Sequence, residues 1–255
     1  MSVVLMYHAL HPDNDSSAVD IEDQPYAVSE STFREQISML DGMQVGLLNN
    51  DSSKPQPDVV ITFDDGHISN LEIALPILQE FGMSAYFFVT TDFIESREFF
   101  CRPHQLKEFT DAGMVVGSHG VSHRFLADLS VDESKRELSL SKERLQSWLD
   151  SEVLSISYPG GRYTSSTMDL AREIGYRQIF DSTFSTVSAT DLSKNDPLAR
   201  VAIRRSTSSS DFQRMISNDK TYYRKVQRSQ RIKQTAKRML GNRLYHGLYK
   251  SLTAR

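Results

Sequence analysis

The chain has 255 residues, 39% of them hydrophobic and 24% charged, with a net charge of −4, which is typical of a globular protein with one large or two small domains. Its single cysteine, Cys101, excludes an intrachain disulfide and a cysteine-built zinc site, so a bound metal must be held by Asp, Glu and His. The N-terminal stretch lacks a basic segment, and no run approaches the roughly 18 apolar residues of a membrane span, so we expect a cytoplasmic protein.

Apolar strand-like runs alternate with helical patterns along the chain. Strands are predicted at residues 3–7, 59–63, 85–89, 114–118, 153–158 and 200–203. Helices are predicted at residues 31–42, 68–82, 104–113, 132–149, 165–175 and 208–216. This alternation predicts an α/β fold with parallel strands, either a barrel or an open doubly wound sheet. In both architectures, catalytic residues lie at the carboxyl ends of strands.

Two adjacent carboxylates, Asp64 and Asp65, follow the strand "VVITF" directly. Adjacent like charges at the end of a buried strand are costly, and a sequence keeps them most readily where the carboxylates are needed. The alternative is that they cap the helix predicted at 68–82.

Polar residues also follow three other predicted strands. His8 follows residues 3–7, "SHGVSH" follows 114–118, and "PGG" follows 153–158. His119 and His123, four residues apart, can hold one cation together with a carboxylate, leaving positions open for water. Zinc or another divalent transition metal suits these nitrogen and oxygen donors. Such a histidine pair also arises by chance, so the prediction rests on its combination with the Asp pair.

Two motifs resemble those of the polysaccharide deacetylases with a NodB-type homology domain, also called carbohydrate esterase family 4. They are "TFDDG" at residues 62–66 and "SHGVSH" at residues 118–123. The resemblance runs from about residue 3 to residue 217. It implies a distorted (β/α) barrel with about seven strands and a metal-dependent hydrolase that removes an N-acetyl group from a sugar.

The resemblance also implies a role for individual residues. Asp65, His119 and His123 would bind the metal, and Asp64 would be the general base. With one carboxylate held by the cation, its neighbour can stay ionised and take a proton from the attacking water. The backbone N–H of Gly160, in "SYPGGRY", would share the oxyanion.

The chain departs from the family pattern where an arginine usually steadies the base. That position is Ser157 in "SYP", so Arg162 and Arg204 are the candidates for its replacement. The missing arginine also motivates a competing hypothesis, a sugar-binding pseudoenzyme that retains the fold without turnover.

A second departure concerns the histidine that usually follows late in the chain and protonates the leaving amine. His8, in "LMYHAL", resembles the equivalent histidine of a circularly permuted branch of the family, and imidazole can supply a proton near neutral pH. Alternatively, His8 only forms a hydrogen bond at a strand end. We expect His67 to lie at a helix start rather than to bind metal, and His11 and His104 to lie on the surface.

A basic tail follows the acidic body. Residues 220–255 contain eleven Lys or Arg and no Asp or Glu, which leaves 18 basic and 33 acidic residues in 1–219. We predict a deacetylase domain at 1–217 and a basic amphipathic helical tail at 218–255. Such a helix can dock on the acidic body or lie on an anionic membrane, whereas an acidic body disfavours nucleic acid.

Together these features predict a zinc-dependent hydrolase that removes the N-acetyl group from an N-acetylhexosamine unit of a polysaccharide or glycan precursor. The same site could act as an O-acetyl esterase. We expect a cytoplasmic enzyme with peripheral contact to the inner face of the membrane through its tail.

Overall fold

The computed structural model describes residues 1–21, 23–49, 51, 53–194 and 196–232. Seven of its strands form one parallel sheet, curled into a half-barrel, in the order β8-β7-β6-β5-β4-β1-β9. A separate two-stranded ladder is made by β2 and β3. The strands are β1 Val3–Tyr7, β2 Leu10–His11, β3 Val28–Ser29, β4 Val59–Phe63, β5 Ala85–Val89, β6 Val115–Ser118, β7 Ser155–Ser157, β8 Gln178–Phe180 and β9 Val201–Ala202.

Helices surround the sheet. They are α1 Glu30–Ser38, α2 Leu75–Glu80, α3 Thr91–Ser96, α4 Leu106–Asp111, α5 Val131–Leu149, α6 Ser165–Glu173, α7 Ala189–Lys194 and α8 Ser209–Ile216. A wider turn, Asn70–Ala74, leads into α2, and residues 220–232 form a further helix, called here the C-terminal helix. Across these described ranges, every helix is too short or too polar to cross a bilayer.

Side chains of the central strands alternate between two hydrophobic clusters. Phe87 and Val89 of β5 face the larger cluster, between the sheet and the helices, while Tyr86 and Phe88 face a smaller cluster inside the curl of the sheet. Successive residues of a strand point to opposite faces. Since both faces are buried, the strands are continuous apolar runs, and this is why they were detectable in the sequence.

The register of the strands brings their carboxyl ends to one rim of the sheet. Tyr7 of β1 pairs with Phe63 of β4, and Val89 of β5 pairs with Ser118 of β6. The residues that follow these pairs therefore lie along the same rim; they include His8, Asp64, Asp65 and His119.

The predicted α/β barrel-type fold is confirmed, and each of the six predicted strands is present. The seventh strand of the sheet, β8, was not predicted because its only apolar residues are Ile179 and Phe180, which lie between Gln178 and Asp181. The prediction that His11 lies on the surface is wrong: it pairs in β2, and its side chain is buried. His104 is exposed, as expected.

The C-terminal helix packs on the body of the protein. Tyr222 and Tyr223 are buried, and both rings contact Phe184. Gln227 donates a hydrogen bond from Nε2 to the carbonyl of Phe184. The division of the chain at residue 217 stays a prediction, and most of the apolar stripe predicted for the tail, in residues 233–255, lies outside the described residues.

Candidate active site

Three side chains from two strand ends converge at the rim. Asp65 follows β4, and His119 and His123 follow β6. Asp65 Oδ1 lies 3.6 Å from His119 Nε2 and 3.4 Å from His123 Nε2, and one ligand atom from each residue lies within 4.8 Å of the others. The structure thus brings together the three residues predicted to hold a metal.

The donor atoms of this group fit a divalent cation. Asp65 Oδ1 is buried without a hydrogen-bond partner, which is costly unless a cation or donor meets it. The Nδ1 of His119 lies 2.8 Å from the carbonyl of Ser157, and because a carbonyl only accepts, Nδ1 carries the proton. Nε2 therefore presents its lone pair toward Asp65, as in a histidine ligand oriented by a backbone carbonyl.

Burial shifts the pKa of all three groups toward their neutral forms, and a nearby cation would reverse this shift for Asp65 alone. Burial raises the pKa of Asp65 to about 7 and lowers the pKa of His119 to about 3; the pKa of His123 is lowered as well. The imidazoles are therefore neutral at physiological pH, as metal ligands must be. A positive charge between them would favour the ionised form of Asp65.

Two of the three candidate ligands have a strained backbone. Asp65 has φ +78° and His123 has φ +60°, in the left-handed region that residues other than glycine rarely adopt. Such strain persists where the surrounding structure imposes it, and it concentrates at functional sites. The alternative that the Asp pair caps a helix is wrong, because the first helical turn begins at Asn70, after Ser69.

Glu137 of α5 holds the loop that carries His123. Its Oε2 accepts hydrogen bonds from the backbone N–H of Val121 at 2.8 Å and of Ser122 at 3.0 Å, and its Oε1 accepts from Ser122 Oγ at 2.5 Å. Hydrogen bonds to a charged acceptor are stronger than neutral ones. Glu137 therefore orients the loop that carries the candidate ligand His123, and no local sequence signal pointed to it.

Asp64, the second carboxylate, is held by a buried arginine. Arg200 NH1 donates to Asp64 Oδ1 at 2.7 Å, and NH2 donates to Oδ2 at 2.8 Å. Arg200 is 1% exposed and Asp64 is 2% exposed. Both oxygens of Asp64 are thus engaged by a guanidinium, whereas Oδ1 of Asp65 has no partner, which supports Asp65 as the metal ligand of the pair.

The remaining N–H groups of Arg200 are also satisfied. Nε donates to the carbonyl of Asp181, NH1 also donates to Thr62 Oγ1, and NH2 also donates to Ser157 Oγ. All five guanidinium N–H groups therefore have acceptors. Burial alone would raise the pKa of Asp64, but the charge and hydrogen bonds of Arg200 outweigh it and hold that pKa well below its usual range.

Arg200 is thus the arginine that pairs with Asp64, and neither candidate taken from the sequence does so. Arg162 forms an ion pair with Asp128 at 2.8 Å, and Arg204 stacks on Tyr26. Ser157, which stands where the family has arginine, bonds to the guanidinium of Arg200 through its hydroxyl.

His8 lies in the same cleft as the three candidate metal ligands, Asp65, His119 and His123, which are called here the metal group. Its ring packs against Tyr26 with centroids 4.7 Å apart, and its Nδ1 is buried without a hydrogen-bond partner. The alternative was that the His8 side chain only forms a hydrogen bond at a strand end. Nδ1 forms no such bond. The catalytic role of His8 stays a prediction.

Gly160 lies in the tight turn Pro159–Gly161 after β7 and lines the cleft with φ +61°. A Cβ at this position would lie 2.6 Å from Cε1 of Phe125, so only glycine fits without a shift. His67 is not part of the metal group, because its two ring nitrogens lie 2.8 Å from Ser69 Oγ and 3.0 Å from the carbonyl of Ala18.

The cleft has a volume of about 290 Å³. It brings candidate metal ligands, the candidate base and the candidate acid into one space open to solvent. Its lining includes His8, Asp64, Asp65, His119, His123, Gly160 and Arg200.

We expect Arg200→Gln to lower the free energy of unfolding by about 3–5 kcal/mol, because it leaves the buried carboxylate of Asp64 without a countercharge. The matched control is Arg34→Gln, which breaks a doubly hydrogen-bonded but exposed pair with Glu80 and should cost less than about 1 kcal/mol. Urea unfolding measures both.

The effect of Arg200→Gln should also depend on pH. Because Arg200 depresses the pKa of Asp64, its contribution is fully present above the unfolded carboxyl pKa of about 3.9 and is lost as pH falls through the folded pKa. The stability gap to the wild type should therefore shrink below about pH 4. A gap that grows on acidification, or equal costs for both variants, would contradict this account.

We expect Glu137→Gln to weaken zinc binding by about 10- to 100-fold, the usual cost of losing an outer-shell partner. A glutamine at this position removes the negative charge and offers one acceptor oxygen where the carboxylate of Glu137 offers two. Titration calorimetry with zinc measures the change. Glu143→Gln, an exposed position on the same helix, is the control; equal affinities in the two variants would show that Glu137 does not position the site.

Comparison with known proteins identifies the family. The model of the polysaccharide deacetylase family matches residues 51–179. The structure of Streptococcus pyogenes deacetylase PplD in complex with acetate aligns with a TM-score of 0.72 at 26% identity, covering 84% of this chain and 97% of PplD. BC0361, a polysaccharide deacetylase from Bacillus cereus, aligns with a TM-score of 0.73 at 23% identity, covering 84% and 68%.

Sequence relatives cover the chain in part. YxkH of Bacillus subtilis is 31% identical over 131 residues, which are 51% of this chain and 47% of YxkH. A Geobacillus stearothermophilus protein is 28% identical over 125 residues, which are 48% of this chain and 45% of that protein. The chain thus matches about half the length of these curated relatives. Since the family match extends over half of the chain and includes both motifs of the site, the chain belongs to the polysaccharide deacetylase family.

Proposed function

We propose that this protein is a divalent-metal-dependent hydrolase, with zinc as the favoured ion, that removes the N-acetyl group from an N-acetylhexosamine unit of a polysaccharide or glycan precursor. One observation carries the proposal. The donor group of Asp65, His119 and His123 lies in one cleft with Asp64, a carboxylate kept ionised by Arg200.

When bound, the divalent cation supplies Lewis acidity to the acetyl carbonyl and to water. The protein provides the proton transfers. Asp64, ionised by its pairing with Arg200, accepts a proton from the attacking water. The N–H of Gly160 donates to the oxygen on which negative charge develops. His8 donates a proton to the amine as it leaves, which yields acetate and the free amino sugar.

The comparison with PplD supports the choice of an acetyl group as the group removed. PplD is described as a deacetylase in complex with acetate, and acetate is the acid product of the reaction proposed here. An O-acetyl ester would release the same acid, so the nature of the acetylated atom has to come from the substrate test. The pseudoenzyme hypothesis rested on a missing arginine, and the position of Arg200 removes that motive.

We expect the zinc-loaded protein to release acetate from members of a panel of N-acetylated saccharides, and a chelator to abolish the release. His119→Ala and His123→Ala should lower zinc content and activity together, because each removes a ligand. His104→Ala, at an exposed position, is the matched control and should change neither. Release only from O-acetylated saccharides would redirect the proposal to esterase activity, and no release from either panel would refute it.

Variants of the proton-transfer residues separate chemistry from metal binding. Asp64→Asn should abolish turnover with zinc retained, and His8→Ala should lower kcat by about 10²- to 10⁴-fold with zinc retained. If Asp64→Asn lost the metal while Asp65→Asn kept it, the roles within the pair would be reversed. Full activity of His8→Ala would exclude His8 as the acid.

We further propose a cytoplasmic location with peripheral contact to an anionic membrane through the C-terminal helix. Arg224, Lys225 and Arg228 lie together with Ile232, which is 61% exposed, along one groove of this helix. Basic residues beside an exposed apolar side chain are typical of helices that lie at a membrane surface.

The full-length chain should therefore sediment with anionic liposomes at low salt and less as salt rises. Arg224→Ala/Lys225→Ala should weaken this binding by about 30-fold, at about 1 kcal/mol for each basic residue. Neutral liposomes are the control. Binding that ignores both lipid charge and the double substitution would rule out this contact.

A further inference from the structure

The imidazole ring of His8, the candidate acid, is not oriented by a hydrogen bond at Nδ1. This nitrogen is buried, and it has no hydrogen-bond partner among the described residues. His119 differs, because its Nδ1 lies 2.8 Å from the carbonyl of Ser157. A histidine that transfers protons commonly has one ring nitrogen held by a carbonyl or a carboxylate, which fixes the ring. For His8, packing has to supply this restraint.

The backbone around His8 is fixed by two buried side chains. Asn70 Nδ2 donates to the carbonyl of His8 at 2.8 Å, and Ser69 Oγ accepts from the backbone N–H of Leu10 at 2.8 Å. These bonds set the direction in which the His8 side chain leaves the backbone. They do not set the rotation of the ring, because the χ2 torsion of histidine has broad minima. A contact with the ring itself is needed for that.

The ring of Tyr26 makes this contact. Tyr26 ends the short helical turn Gln24–Tyr26, and its ring centroid lies 4.7 Å from that of His8, with the two planes tilted by 36°. Both side chains line the catalytic cleft. Aromatic rings at this separation prefer particular mutual orientations. Turning the His8 ring therefore requires either the loss of this contact or a displacement of Tyr26.

Tyr26 is itself held by the segment that follows β9. The guanidinium of Arg204 lies 5.1 Å from the centroid of the Tyr26 ring, and its NH2 donates to the Tyr26 hydroxyl at 3.3 Å. The backbone N–H of Arg205 donates to the carbonyl of Pro25 at 3.0 Å, and its NH1 donates to Gln24 Oε1 at 2.9 Å. Displacing Tyr26 would therefore disturb these contacts as well.

The topology of the sheet brings this segment to His8. β9 pairs in parallel with β1, so the residues after β9 lie beside those after β1. Arg200 directly precedes β9 and holds Asp64, the candidate base. Arg204 follows β9 and holds the tyrosine that packs on the candidate acid. One short strand is thus flanked by the arginines that restrain both proton-transfer groups.

We propose that Tyr26, held by Arg204, is the positioning residue for His8 and orients its imidazole toward the leaving amine. The inference rests on the proposed function and deepens it. Ring packing by Tyr26 replaces, at His8, the Nδ1 hydrogen bond that fixes the ring of His119.

The first test compares two substitutions of Tyr26 in the zinc-loaded full-length protein, with the N-acetylated saccharide that releases most acetate. Tyr26→Ala removes the ring and should lower kcat by about 10- to 100-fold, because a misplaced catalytic group loses that much. KM and zinc content should stay within about twofold of the wild type, since neither depends on the acid. Tyr26→Phe keeps the ring and should restore kcat to within about threefold of the wild type. A Tyr26→Ala protein with wild-type kcat would refute the inference.

A double-mutant cycle with His8 distinguishes positioning from a general loss of structure. In a His8→Ala background, Tyr26→Ala should lower kcat by less than about twofold, because no imidazole is left to position. If Tyr26→Ala lowered kcat by the same factor in both backgrounds, its effect would not pass through His8, and the inference would be overturned.

A third measurement does not depend on turnover. Diethyl pyrocarbonate modifies accessible imidazole nitrogens, and mass spectrometry gives the rate at each histidine. Tyr26→Ala should raise the rate at His8 by about fivefold or more, because it uncovers one face of the ring, and Tyr26→Phe should not. His104, which is exposed, is the internal reference and should react at the same rate in every variant.

This arm separates the inference from the proposed function. If no saccharide releases acetate but the rate at His8 changes as expected, the proposed activity is wrong and the restraint of His8 by Tyr26 stands. If acetate is released normally and Tyr26→Ala changes neither kcat nor the rate at His8, the activity stands and the inference is refuted.

Discussion

The ion pair between Arg200 and Asp64 is the contact on which the active site depends. Both charged groups are buried, so burying either one without the other would cost free energy. A buried pair of this kind contributes little net stability, but removing one partner is strongly destabilising. Arg200 also bonds to Thr62 of β4, Ser157 of β7 and the carbonyl of Asp181 after β8. One guanidinium thereby ties together strands from both sides of the curled sheet. The same contact keeps Asp64 ionised, while Oδ1 of the neighbouring Asp65 has no hydrogen-bond partner and lies beside His119 and His123.

Around this pair, a second set of contacts orients the candidate ligands. The carbonyl of Ser157 sets the tautomer of His119, and Glu137 holds the loop of His123 through two backbone N–H groups and one hydroxyl. The loop that Glu137 holds leads into the strained backbone of His123, and the carbonyl of Asp65, the other strained residue, accepts a hydrogen bond from the backbone N–H of Thr90. Precise placement of a small ligand set on rigid strand ends is what metal-assisted hydrolysis requires, because a misplaced donor weakens both metal binding and catalysis. The different roles proposed for the adjacent carboxylates of Asp64 and Asp65 therefore follow from their different partners.

The C-terminal helix connects the basic end of the chain to this site. Its first turn is anchored by two buried tyrosines, and its later turns reach the edge of the catalytic cleft through Gln230. The charge pattern of the sequence assigns this segment to a tail separate from the acidic body. In the structure, the described part of the segment lines the edge of the catalytic cleft.

The sequence by itself determined the α/β class, the parallel strands and which three residues come together as the candidate metal ligands, because these depend on local signals: apolar runs with buried faces, and polar motifs at strand ends. It also placed His8 and Gly160 at the same rim. Only the tertiary structure decided which arginine pairs with Asp64, since Arg200 lies 136 residues away and an arginine near a strand carries no local mark of its partner. Glu137 was not predicted for the same reason, and β8 was not predicted because two apolar residues, Ile179 and Phe180, give too short an apolar run. Distant contacts of this kind are set by how strands and helices pack, and that packing is a property of the whole chain rather than of any short stretch of it.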